Sequence, residues 1–189
     1  MKLEQIHRQP VISSPRFDLR PLRATDAELV ARYANDKRVA QMTTSIPFPL
    51  SQEAAAEFVA RAGARDRDED IWAIDASKTD GSELLGVISL KYLDRDQSEV
   101  GYWVAPEFWN QGYASAALAC LLEANPHANR SVVACVFQDN LSSTHVLSGN
   151  GFACLGEAEA FSLSRAAHVP TWTYLKTLLS LSRALQPRR

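Results

Sequence analysis

Apolar and polar positions change period several times along the chain, which predicts a mixture of helices and strands. The segment Arg16–Leu22 alternates as a strand does, with Phe17 and Leu19 opposed to polar neighbours. One predicted helix opens at Thr25–Glu28, and a second runs from the N-cap Ser51 to about Ala62. The apolar, proline-containing segment 41–50 that links them is typical of a substrate-facing loop, although a packed connection is as compatible.

From Ile71 onward the pattern is that of a sheet. The runs Ile71–Ala76, Leu84–Leu93 and Glu99–Val104 are separated by polar turns and predict three consecutive antiparallel strands. A helix from about Gly112 to Ala124 follows, and Ser131–Phe137 is apolar throughout, as expected for a central strand covered on both faces. The intervening helix predicts that this strand lies parallel to 99–104 through a right-handed crossover. A short helix at 142–148 and two strands at 160–164 and 171–175 complete a mixed α/β sheet.

Composition and charge indicate a single globular domain and give no sign of a nucleic-acid or membrane partner. A chain of 189 residues with 46% hydrophobic and 22% charged residues fits one globular domain. We expect its core at about 16–175, with 1–14 as a loose arm and 176–189 as a tail. A net charge of −2 gives no indication of nucleic-acid binding. Neither a signal peptide nor a run of ~18 apolar residues is recognised, so we expect a cytoplasmic protein with no membrane partner.

The most distinctive local feature is the turn before the apolar helix. It reads Trp109-Asn110-Gln111-Gly112-Tyr113-Ala114 and matches neither G-x-G-x-x-G nor a phosphate loop. Free N–H groups and the positive end of a helix dipole suit an anion. Taken alone, a single glycine before an apolar helix is more often a plain turn.

The order of neighbouring motifs carries more information than the turn. Val104-Ala105-Pro106, Trp109-x-x-Gly112-x-Ala114, Asn140-x-x-Ser143 and Gly151-Phe152 follow one another along the chain. Together they resemble the GNAT superfamily of N-acetyltransferases, with Trp109 in place of the Gln or Arg that opens its acetyl-CoA motif. The strand at 99–104 and the opening segment at 17–22 resemble the branch that acetylates N-terminal amines of ribosomal proteins.

The resemblance implies a fold, a cofactor and a set of binding residues. The fold would be a mixed, mostly antiparallel sheet of about six to seven strands flanked by about four helices. Acetyl-CoA would be the acyl donor: the Val104 backbone would pair with its pantetheine arm, and Asn140 would hydrogen-bond that arm, although Asn140 also suits a plain helix entry. The residues expected to hold the pyrophosphate are Trp109, Asn110, Gln111, Gly112, Tyr113 and Ala114.

Two residues are candidates for acid–base chemistry. Glu99 is the candidate base, because a carboxylate on a central strand would be partly desolvated; an outward-facing or ion-paired Glu99 is an equal alternative. Ser143 matches a serine that donates a proton to the leaving thiolate in some N-terminal acetyltransferases, and it is equally suited to capping a helix. Leu147 occupies the position of a tyrosine acid found in many superfamily members.

Other reactive side chains are expected to be structural. The three cysteines lie far apart in apolar runs and are expected to be buried. His127 is expected at the surface, and His145 is expected to face solvent or to be packed. His168 is a guess for the substrate side. No His, Cys and acidic residues have metal-ligand spacing, so no metal is expected.

The sequence therefore predicts an N-acetyltransferase acting on an amine acceptor, most simply a protein N-terminus, by direct transfer without an acyl-enzyme. Acetylation of a small amine and a non-catalytic acyl-CoA-binding module stay as alternatives. A pocket walled by Trp72 and Trp103 with an acidic lining would favour a small amine, whereas an open groove would favour a peptide. The protein is expected to be a monomer or homodimer.

Overall fold

A computed structural model describes residues 9–178 and shows one eight-stranded mixed sheet flanked by five α-helices. The fold class is as predicted, with one more strand than the upper expectation. In chain order the elements are β1 (Ile12–Ser13), β2 (Asp18–Pro21), α1 (Ala27–Ala34), α2 (Lys37–Ala40), α3 (Gln52–Ala62), β3 (Glu69–Asp75), β4 (Gly86–Tyr92), β5 (Gln97–Val104), α4 (Tyr113–Ala124), β6 (Ser131–Phe137), α5 (Leu141–Gly149), β7 (Ala153–Ser162) and β8 (Ala167–Thr177).

The order of the strands is β1-β2-β3-β4-β5-β6-β8-β7. All neighbouring pairs are antiparallel except β5 and β6, which are parallel and are joined by α4 as predicted. The strand β1 pairs Ile12 with Leu19 in a segment that was expected to be a loose arm. The side chain of Trp72 also fixes this segment, because its Nε1 donates to the carbonyl oxygen of Pro10 at 2.8 Å.

The two faces of the sheet are covered by different helices. The helices α4 and α5 pack on one face, which we call the α4 face, against residues such as Trp72, Val100 and Val104. The helices α1 and α3 pack on the opposite face, the α3 face, against residues such as Ile71 and Trp103. Because side chains alternate along a strand, Glu99 and Gly101 lie on the α3 face with Trp103, and Tyr102 lies on the α4 face.

A buried ion cluster ties the start of the chain to the sheet. The guanidinium of Arg20, 4% exposed, binds Asp26 through two hydrogen bonds of 2.8 and 2.9 Å and Asp75 through one of 2.5 Å. Asp26 in turn accepts from the backbone N–H of Arg23 at 2.7 Å, just before α1. The cluster therefore joins β2, β3 and the entry of α1 in one charged network.

A second buried network fixes the connection between α4 and β6, and it corrects the expectation that His127 lies at the surface. The His127 side chain is 2% exposed, and its Nε2 lies 3.0 Å from the Asp70 carboxylate. Its Nδ1 lies 3.0 Å from Oγ of Ser98, and its ring stacks on Tyr92 with centroids 3.8 Å apart. His127 thus bonds to both β3 and β5. These contacts join distant parts of the chain, so the residues next to His127 in the sequence do not predict them.

Candidate active site

The central feature of the site is a gap in the sheet between β5 and β6. The two strands pair only at Gln97–Glu99 with Ser131–Val133, whereas β6 continues to pair with β8 as far as Phe137. The C-terminal half of β5 therefore has its β4 edge paired and its other edge open. Such an edge presents backbone donors and acceptors to an added strand or an extended ligand.

The open edge is formed by Tyr102 and Val104. The N–H of Ala105 donates to Leu85 on the β4 side at 2.8 Å, so the alternation of strand backbones directs the N–H and C=O groups of Val104 towards the gap. The carbonyl oxygen of Val104 accepts from Nε1 of Trp109 at 2.6 Å. Trp109 therefore anchors the following turn to the end of β5 without contributing a charge.

The turn before α4 contains two residues with positive φ and leaves the N-terminus of the helix uncapped by any side chain. Asn110 has φ of 60° and Gly112 has φ of 77°, both left-handed, and asparagine is among the residues that tolerate this region best. Gly112 is the N-cap of α4, no side chain caps the helix, and its first turn contains no acidic residue. The first intrahelical bond at this end is from the N–H of Ala116 to Gly112 O, which leaves the preceding N–H groups of the helix as free donors.

The start of α5 lies on the other side of the gap. The Oδ1 of Asn140 caps this helix by accepting from the N–H of Ser143 at 3.1 Å. Asn140 therefore has the helix-entry role that was the alternative to binding the pantetheine arm. The hydroxyl of Tyr102 donates to the carbonyl oxygen of Ser143 at 3.3 Å. The contact joins β5 to α5 at the open edge, and burial raises the pKa of Tyr102 to about 12. Sequence reasoning did not single out Tyr102, although its position in the strand alternation places it on the face of α5.

Leu147, at the position where the resemblance would place a tyrosine acid, is 1% exposed and packs in the core of the α4 face. It thus contributes apolar packing alone.

A cavity of about 290 Å³ lies on the α3 face beside the gap. Its floor includes Glu99, Gly101 and Trp103 from β5 and Cys135 from β6, and its opposite wall is the segment Met42–Ile46. Gly101 leaves the space between its two larger neighbours open. The linking segment 41–50, for which a substrate-facing loop and a packed connection were equal alternatives, lines a cavity at 42–46.

The pKa of Glu99 is raised, whereas those of Asp18, Asp70 and Asp75 on the sheet are lowered. Burial raises the pKa of Glu99, Lys91 on β4 opposes the shift, and Glu69 on β3 adds to it. These three residues are cross-strand neighbours, Glu69 with Lys91 and Lys91 with Glu99. A half-buried carboxylate at the wall of a cavity has the setting of a proton acceptor.

Glu99 and Ser143 lie on opposite faces of the sheet. The cavity reaches Glu99 and Tyr102, whereas Ser143 and Asn140 are not among its lining residues. The two candidate acid–base residues therefore flank the gap instead of sharing one pocket.

A second cavity of about 650 Å³ continues along α3. Its rim carries Glu57 and other charged residues. The residues that line both cavities are Ser45, Ile46, Phe58, Glu69, Ile71 and Trp103. Trp72 does not line either cavity, because it is fully buried on the α4 face. Of the two tryptophans considered as pocket walls, only Trp103 lines these two cavities.

The cysteines differ from expectation. Cys135 and Cys154 are exposed and Cys120 is partly buried, and all three are free thiols. His168 lies on β8 with its ring against Phe161 at 5.4 Å, outside both cavities, and His145 is exposed on α5.

A protein-family model described as acetyltransferase (GNAT) domain matches residues 16–153, which covers most of the chain. The chain belongs to the GNAT acetyltransferase family. It is therefore an acetyl-CoA-dependent N-acetyltransferase, as the order of motifs predicted. The free amides before α4 and the open β5 edge fit the phosphates and the amide-containing arm of coenzyme A.

Relatives of this GNAT acetyltransferase agree with the assignment. It is 29% identical over 154 residues to the uncharacterized N-acetyltransferase YoaA of Bacillus subtilis (strain 168), with 76% of this chain and 82% of YoaA covered. The fold is similar to that of RimJ from Mycobacterium smegmatis in complex with a coenzyme A disulfide, at a TM-score of 0.78 and 21% identity over 94% of this chain and 92% of RimJ. It is also similar to RimL, a ribosomal L7/L12 α-N-protein acetyltransferase in complex with coenzyme A, at a TM-score of 0.74 and 19% identity over 89% and 98% of the two chains.

Two features are absent from residues 9–178 of the acetyltransferase. No group of three or more His, Cys, Asp or Glu side chains is placed to hold a metal ion. None of the helices in the same range is long and apolar enough to cross a bilayer.

Proposed function

We propose that this GNAT acetyltransferase acetylates the N-terminal α-amine of a protein or peptide by direct attack in a ternary complex. The observation that carries the proposal is the half-buried Glu99 on the floor of a cavity that continues along α3. Such an extended space suits an acceptor longer than a single amine, and RimL, which shares the fold, acts on a protein α-amine according to its name.

The modest basicity of an α-amine suits a carboxylate base. An α-amine has a pKa near ~8 and is partly neutral at pH ~7.5, whereas a lysine amine with a pKa near ~10.4 needs about 4 kcal/mol to lose its proton at that pH. Glu99 would accept the proton of the attacking amine, directly or through one water, and its raised pKa makes it a stronger base than an exposed glutamate.

Residues of the opposite face would serve the donor. Acetyl-CoA supplies an acetyl group already activated as a thioester. Backbone amides at 110–114 would bind its phosphates, and the N–H of Val104 and the amide of Asn140 would orient its arm. The Ser143 hydroxyl, which is partly exposed, would donate a proton to the departing thiolate and take up one from solvent. Because the thiol has a pKa of ~8.5, its thiolate is a good leaving group, and a weak acid suffices as its proton donor.

The test is a panel of acceptors with release of the coenzyme A thiol as readout. It contains peptides with a free N-terminus, the same peptides with a blocked N-terminus and a free lysine, a polyamine and an aminoglycoside. We expect turnover with free N-termini and mass-spectrometric localisation of the acetyl group to the α-nitrogen. Turnover confined to small amines would contradict the proposal, and coenzyme A binding without turnover of any acceptor would indicate a binding module.

A further inference from the structure

The turn that begins at Trp109 has no cationic side chain of its own between 109 and 114, and an arginine from a different part of the chain contacts it. The Nη1 of Arg16 donates to the carbonyl oxygen of Gln111 at 3.0 Å. The guanidinium lies over the ring of Tyr113, 4.2 Å from its centroid. A Cβ built on Gly112 would stand 4.0 Å from the same Nη1.

The backbone of Arg16 is held in place by neighbouring contacts. Its carbonyl oxygen accepts from Oγ1 of Thr79 at 3.1 Å, and Ser14 closes a tight turn by bonding to Phe17 O at 3.0 and 2.9 Å. The ring of Phe17 meets that of Tyr113 edge to face at 6.2 Å. An exposed arginine with this support is positioned at the α4 N-terminus before any ligand binds.

Arg16 places a positive charge beside a helix end that does not favour one. A helix N-terminus carries a partial positive charge and prefers an anion, yet Arg16 adds a full positive charge beside it. The first turn of α4 contains no acidic residue, and Arg16 forms no ion pair with a carboxylate of residues 9–178. Free amides, a helix dipole and an unneutralised guanidinium converge on one point, and their shared complement is an anion.

We infer that Arg16 binds the diphosphate of coenzyme A and supplies the cation that Trp109 does not. The inference rests on the proposed donor site at 110–114. An arginine presents several N–H donors in a planar fork that matches phosphate oxygens, so the side chain binds by direct charge-assisted hydrogen bonds. The motif of this family is thereby completed from the turn before β2 instead of from the loop after β5.

The experiment measures equilibrium dissociation constants by calorimetry for wild type, Arg16→Gln, Arg16→Lys and the control Arg130→Gln. Arg130 immediately precedes β6 and its side chain is 82% exposed, so its substitution makes the same charge change outside the site. The ligands are coenzyme A, dephospho-coenzyme A, which keeps the diphosphate, and pantetheine, which has no phosphate.

We expect Arg16→Gln to raise the dissociation constants of coenzyme A and dephospho-coenzyme A by a similar factor, roughly tenfold, and to leave that of pantetheine unchanged. Arg16→Lys should lie between wild type and Arg16→Gln, and Arg130→Gln should match wild type. The tenfold factor should shrink at high salt, because the contact is exposed and ionic.

Other outcomes overturn the inference. An equal loss for pantetheine would mean that Arg16 acts through the fold, and an unchanged constant for dephospho-coenzyme A would place Arg16 at the 3′-phosphate instead. A lower melting temperature of unliganded Arg16→Gln with unchanged coenzyme A binding would give the side chain a structural role alone. Absence of coenzyme A binding in wild type would instead refute the proposed donor site.

Discussion

Replacement of Glu99 by glutamine tests the proposed base most directly. The side chain keeps its shape and hydrogen-bonding oxygen but cannot accept a proton. A positioned base contributes about 10²–10⁴ in rate, and the lower end applies to an α-amine because part of it is neutral without help. We therefore expect Glu99→Gln to lower kcat/KM about 100-fold at pH ~6.

The pH dependence of the loss is the decisive result. Without a base, the rate follows the neutral fraction of an acceptor with a pKa near ~8, so it rises about tenfold per pH unit below that value. The ratio of wild-type to variant kcat/KM should therefore fall steadily from pH ~6 to pH ~8 and level off above it. Initial rates with one peptide acceptor, with free coenzyme A quantified in quenched samples, measure this ratio. A ratio that is constant with pH would refute the base role, and the exposed Glu123→Gln on α4 is the control.

Stability gives an independent check on the environment of Glu99. Burial raises its pKa, so folding disfavours the ionised carboxylate. This unfavourable contribution is absent below the ordinary glutamate pKa, where both states are protonated, and develops as pH rises through the raised value. Glu99→Gln should therefore be more stable than wild type at pH ~7 and equal to it at pH ~4. A destabilised variant at neutral pH would show that the carboxylate has a favourable partner.

Three further substitutions test the framework around the site. Arg20→Met should lower the free energy of unfolding by about 3–5 kcal/mol at pH ~7, since it leaves buried carboxylates unpaired. Burial raises the pKa of Asp75, but hydrogen bonds from Ser77 and Arg20 hold it below its ordinary value, so the deficit should shrink in urea titrations as pH falls below ~4; a pH-independent deficit would contradict this. Gly112→Ala should cost about 1–2 kcal/mol because of its φ of 77°, whereas Gly149→Ala in α5, where nothing lies within 4 Å of the added Cβ, should cost nothing. His127→Phe should cost about 1–3 kcal/mol by denaturant titration because Asp70 and Ser98 lose a buried partner, and an unchanged midpoint would refute a stabilising role for that network.

The sequence predicted the helices and strands that bury one face, or both faces, in the core. The helices α3 and α4 and the strand β6 have boundaries within one or two residues of expectation, because caps, a proline or a continuous apolar run mark them. In contrast, β7 was expected only around 160–164 and runs from Ala153 to Ser162. Most of its residues are exposed on this edge strand, so no alternation of apolar and polar residues marks it.

In the candidate site, too, some features could be predicted from the sequence and others could not. The turn at 109–114 and the cap at Asn140 are local in sequence, and their conformations follow from local chemistry. Tyr102, Arg16 and His127 meet partners 41, 95 and 57 residues away, and contacts of that range depend on strand register. Register also placed Trp72 on the face opposite to the cavities, which composition and spacing do not determine.

The short β5–β6 ladder also divides the sheet along the chain. Strands β1–β5 come from residues 12–104 and strands β6–β8 from residues 131–177, and the two groups share three paired positions and the α4 crossover. Each group pairs its strands with one another, which favours two cooperative units joined by a short ladder. The short ladder is thus a line along which the protein should open, and hydrogen exchange of the amides at the paired positions 97–99 and 131–133 should report that opening. A donor bound across both units would slow this exchange, so substrate occupancy would also govern the lifetime of the folded state.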